Sequence, residues 1–156
     1  MDSSTANEHR DRMLAALAEL ETSVETPCIP GELEQWIDAV DDAFQRLRPL
    51  LDLQIATFHP QQFDDIGEED EELFRRVEQM REEDASIDQQ AGRLGERMAK
   101  LKTAATNIEP DEAKLRTAFE GFVEAALAWI IQVRTQEQAI RTWLMEAFTR
   151  DRGDVD

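Results

Sequence analysis

Four stretches of this chain each carry a long apolar stripe at steps of three and four residues. Each stripe is interrupted by a single polar side chain. The last runs Leu115, Phe119, Phe122, Ala126, Ile130, Val133, Glu137, Ile140, Leu144, Phe148. The third runs from Leu73 through Val77, Met80, Asp84, Ile87, Ala91, Leu94, Met98 and Leu101 to Ile108, with only Asp84 polar. The second runs Leu33, Ile37, Val40, Phe44, Leu47, Leu51, Gln54, Phe58, and the first Ala6, His9, Met13, Leu17, Leu20, Val24. Steps of three and four place these residues on one face of a helix. Four such faces must be buried against one another, which predicts an all-α fold. A carboxylate in such a core is costly unless it is paired, protonated or bound to a metal.

The chain of 156 residues suits one domain over 1–156. No stretch sustains strand-like alternation and the chain has no Tyr. Helices are expected at about 5–25, 31–58, 68–106 and 111–150. Thr5 and Glu8 have capping-box spacing at the first start. Pro27, Pro30 and Gly31 punctuate the first loop. Pro49 predicts a kink or break near 45–48, and His59-Pro60 predicts the end of the second helix. Residues 63–67 then read as a turn, with Asp64 or Asp65 as N-cap, before the acidic run at 68–72. Short connections favour antiparallel neighbours, hence an up-down-up-down four-helix bundle. In that arrangement His9, Gln54, Asp84 and Glu137 all fall toward the same end.

The net charge of −18 argues against nucleic acid, which needs clustered Lys and Arg, and against anionic membrane surfaces. The longest uncharged run, 125–133, is too short to span a bilayer, and residues 1–12 have no apolar signal core. A cytoplasmic protein is expected. Cys28 is the only cysteine and reads as a plain loop thiol. There is no Gly-rich phosphate loop, Ser-His-Asp set or Cys-His pair to support hydrolase or nucleotide chemistry. The chain is not expected to be an enzyme.

Inward carboxylates and imidazoles at one level are how helical bundles build metal sites. Asn7-Glu8-His9-Arg10, Leu47-Arg48-x-x-Leu51-x-x-Gln54, the Glu83-Asp84 pair and the segment from Glu137 to Asp151 carry a resemblance. In helix order and stripe phase the chain resembles the hemerythrin-like (HHE cation-binding) domain. That family holds a non-haem di-iron centre on histidines and bridging carboxylates. The resemblance implies that His9 matches the first-helix ligand. It also implies that Gln54, Asp84 and Glu137 stand at histidine positions, with Phe58 and Arg141 at carboxylate positions. Phe58 cannot coordinate an ion, and Arg141 repels one.

Two readings of the layer follow. In the first, no cofactor is bound and the layer closes on itself: Glu137 pairs with Arg141 at i, i+4, and Asp84 with His9. The protein is then a non-catalytic binding or scaffold module. In the second, His9, Asp84 and Glu137 hold a divalent metal such as Fe, Zn or Mn, as in a cation-binding, redox-sensing or oxygen-sensing protein. His59 falls one residue off the second stripe and is expected to be exposed. Trp129 and Ile131 lie beside the last stripe and form a candidate homodimer face. The sequence names no other protein partner.

Overall fold

The structure, a computed structural model, describes the backbone of residues 2–69 and 71–153 and side chains as far as Arg150. Among the described residues every regular element is helical. There are five α-helices: α1 Ser3–Glu25, α2 Leu33–Leu53, α3 His59–Glu69, α4 Phe74–Ala105 and α5 Glu112–Gly153. A π-helical turn, Gln54–Phe58, joins α2 to α3 without a loop, and a 3-10 turn, Glu71–Leu73, leads into α4. The chain therefore forms four rods, with α2 and α3 sharing the second. The rods touch in a closed ring: α1 on α2, α2 on α4, α4 on α5, and α5 back on α1, with α3 against α5 and α4.

Local chemistry sets the ends. Asp2 caps α1, accepting a hydrogen bond from the Ser4 N–H at 3.2 Å, so the expected Thr5 cap lies inside the helix. Thr26 closes α1, its N–H and hydroxyl both donating to the Thr22 carbonyl. Gly31, at φ +90°, makes the turn into α2, a conformation without steric cost only for glycine. The Trp36 indole N–H then ties α2 back to the Thr26 carbonyl at 2.8 Å. Asp111 starts α5, accepting from the Lys114 N–H. The described part of α5 runs past the end expected at about Arg150, as far as Gly153, and residues 154–156 lie outside the described residues.

The second rod departs most from expectation. Pro49 lies within uninterrupted α2, so no break occurs at 45–48. The helix also does not stop at His59-Pro60. It continues as α3, and Asp64, Asp65 and Gly67 are interior helical positions rather than turn residues. The irregularity comes just before Pro60, where the His59 N–H donates to the Gln54 carbonyl, five residues back. A proline has no N–H and its ring crowds the carbonyl four residues earlier. A wider π turn at that point relieves the crowding and lets the helix go on.

The apolar interior is in two parts. The larger is built from all four rods and includes Met13, Leu17, Leu20, Ile37, Leu47, Leu51, Ile87, Leu94, Met98 and Ile130. The smaller holds Phe63, Ile66, Leu73, Val77, Met80, Ile140 and Ala147. On α4 and α5, and along the second rod, the polar positions fall between these two clusters.

Candidate functional site

Among the described residues six polar side chains are buried: His9, Gln54, His59, Asp84, Gln136 and Glu137. At their centre is His59, 2 % exposed. Its Nδ1 lies 2.8 Å from Asp84 Oδ2 and 2.9 Å from Oδ1, and its Nε2 lies 2.5 Å from Glu137 Oε1. Carboxylates accept, so both ring nitrogens must donate. Only the doubly protonated imidazolium can do that. Burial by itself would lower the His59 pKa. The hydrogen bonds to Asp84 and Glu137, and the charges of both, outweigh it and raise the pKa from 6.5 to about 9. At neutral pH a cation thus sits between two carboxylates.

Amides complete the layer. Gln54 Nε2 donates to both oxygens of Glu137 at 3.2 Å. Gln136 Nε2 donates to Asp84 Oδ1 at 2.9 Å and to the Met80 carbonyl at 2.7 Å. The Gln54 Oε1 is buried without a donor, a polar group left unsatisfied at real cost.

The π turn makes this arrangement possible. Up to Phe58 the buried positions follow the expected stripe. Beyond it they are His59, Phe63 and Ile66, one residue out of phase with an uninterrupted α-helix. The extra residue turns His59 from the flank to the interior, so the expectation that it is exposed is wrong.

Other expected pairings are replaced. His9 does not reach Asp84. Its Nε2 donates to the Leu50 carbonyl at 2.8 Å, and its ring stacks on Phe58 at 4.7 Å. Glu137 faces His59 and Gln54 instead of Arg141, which is exposed. A tertiary imidazolium took the place that the local i, i+4 cation was expected to fill. Gln136 went unpredicted, although the sequence held the signal: Val133, Gln136 and Ile140 keep the same three-and-four spacing as Val133, Glu137 and Ile140.

As a metal set, His9, Asp84 and Glu137 do not converge. Asp84 and Glu137 lie on opposite sides of the His59 ring, and His9 is turned to a backbone carbonyl. With both nitrogens protonated, His59 has no lone pair to offer an ion. Among the described residues no group of three His, Cys, Asp or Glu side chains is arranged to hold a metal. The residues present do not fit a di-iron centre.

Trp129 is 3 % exposed, its ring tilted against Phe44 at 6.1 Å and its indole N–H donating to the Ile87 carbonyl at 3.0 Å, so it is a core residue rather than part of a dimer face. Ile131 is on the surface, 63 % exposed. Cys28 is a free thiol, its pKa pushed up by burial and then by the charge of Glu32. Among the described residues no helix is long and apolar enough to cross a membrane.

Comparison of the chain with family models, with curated proteins and with solved structures finds no match.

Proposed function

We propose that this protein is a non-catalytic binding or scaffold module. It would be an antiparallel, hemerythrin-like up-down-up-down bundle in which an Asp84–His59–Glu137 relay occupies the level of a metal centre. The observation that carries the reading is the engagement of both His59 nitrogens by carboxylates. That engagement supports a structural role in two ways. The imidazolium supplies the positive charge that a metal would bring, and it leaves no free nitrogen to take a proton from a substrate. The acidic charge of −18 favours neither nucleic acid nor anionic membranes as a partner, and a cytoplasmic setting suits the lone thiol of Cys28.

Metal content by plasma mass spectrometry, with melting curves in chelator and after incubation with Fe(II), Zn(II) or Mn(II), tests the reading. The expected result is no stoichiometric ion and an unchanged Tm throughout, because an ion bound only by the native state would add stability. A retained ion whose removal by chelator lowers Tm would overturn it in favour of the cation-binding alternative.

A further inference from the structure

The polar layer borders a surface cleft at Glu137. Glu137, Phe58 and Ile140, all buried, line this cleft of about 570 Å³ between the start of α1, α3 and the last turns of α5. That size falls within the range of small-molecule sites, roughly 300–1,000 Å³. One wall is apolar, formed by Ile140, Leu144, Met145 and Phe148, and the last two are 63 % and 53 % exposed.

Two guanidiniums, Arg10 and Arg141, line the same cleft. The Arg10 side chain is only 18 % exposed, yet the carboxylate it meets is its exposed sequence neighbour Asp11, at 3.4 Å. Arg141 has no ion pair among the described residues. The chain has 35 Asp and Glu against 17 Lys and Arg, so a cation left this poorly matched is informative. Arg48 and Arg134, by contrast, meet carboxylates at 2.9 Å or closer. An arginine fork suits a carboxylate or phosphate oxygen pair. Asp2, Asp65 and the His59-paired Glu137 also line the cleft, and these carboxylates repel a doubly charged headgroup more than a singly charged one.

We propose that this cleft binds a monoanionic amphiphile, a carboxylate carrying an aliphatic tail. The headgroup faces Arg10 and Arg141, and the tail covers Ile140, Leu144 and Phe148. This ligand class rests on the reading of the protein as a non-catalytic binding module.

Isothermal titration of the full chain with decanoate, decanol, decylamine and decyl phosphate, each below its micelle concentration, tests it. Decanoate should bind saturably, one per chain, and more tightly than the other three. The double variant Arg10→Gln/Arg141→Gln, checked for native helicity by circular dichroism, should lose about tenfold or more of decanoate affinity while decanol is unaffected, as loss of charge-assisted hydrogen bonds requires. No saturable decanoate binding would overturn the proposal. So would wild-type affinity in the double variant, or tighter binding of decylamine or decyl phosphate. If decanoate fails while Tm stays indifferent to chelator, the ligand class falls and the metal-free layer stands.

Discussion

The second rod and α4 begin from the same kind of sequence and end differently. Along α4, Val77, Met80, Asp84, Ile87, Ala91, Leu94, Met98 and Leu101 are all buried, as an unbroken 3.6-residue period requires. Along the second rod the period holds from Ile37 to Phe58 and then slips by one residue at the π turn. A single extra residue leaves the rod continuous but re-aims everything after it. On α4 the polar exception stays where periodicity puts it. On the second rod the decisive side chain, His59, is brought in by a break in periodicity. The Asp84 that α4 delivers has its ionic partner only because the second rod is irregular.

Removing that partner should produce the largest effect. His59→Leu leaves Asp84 and Glu137 buried without their shared cation. Breaking a buried ion pair from one side costs about 3–5 kcal/mol. Denaturant unfolding of the variant against the wild type measures it. A loss below about 1 kcal/mol would mean that the carboxylates do not depend on His59, and the contrast between the two rods would lose its energetic content.

The next effect is in the pH dependence. The folded state holds the His59 proton up to a pKa of about 9, whereas the unfolded imidazole releases it near 6.5. The stabilisation is therefore whole below about pH 6.5 and is lost as pH rises through about 9. The shift is on the order of 3 kcal/mol. The denaturation midpoint of the wild type should fall across that window and level off above it. In His59→Leu this slope should vanish. A flat wild-type profile between those limits would show that His59 is neutral in the fold.

The rods, their apolar faces and four of the layer residues were legible because periodicity records which face of a helix is buried. His9, Gln54, Asp84 and Glu137 stood out as polar steps in apolar stripes, and all four are buried. Periodicity carries no information about partners across the core. Glu137 has a cation one turn away in Arg141, and local spacing pointed to it, but the side chain turns inward to a residue 78 positions distant. His59 was hidden for another reason. Pro60 signals a stop, and nothing in a 3.6-residue template marks the place where a helix will widen by one residue and continue. Trp129 was misread because α5 is apolar on more than one face. There the indole is anchored between α4 and α2, through the Ile87 carbonyl and Phe44.

Gln136 separates the ionic part of the layer from its amide scaffolding and should give the smallest of these changes. Its Nε2 is the donor that joins α5 to both Asp84 and the Met80 carbonyl on α4. Gln136→Leu keeps the volume apolar and leaves the imidazolium between its two carboxylates. The expected cost is about 1–2 kcal/mol, that of leaving buried acceptors one donor short. The alkaline slope should survive, because Asp84 and Glu137 still hold the His59 proton. If the variant instead loses as much stability as His59→Leu and its pH profile goes flat, the amide is what holds Asp84 against the ring. The regular rod would then control the irregular one, the reverse of the dependence argued above.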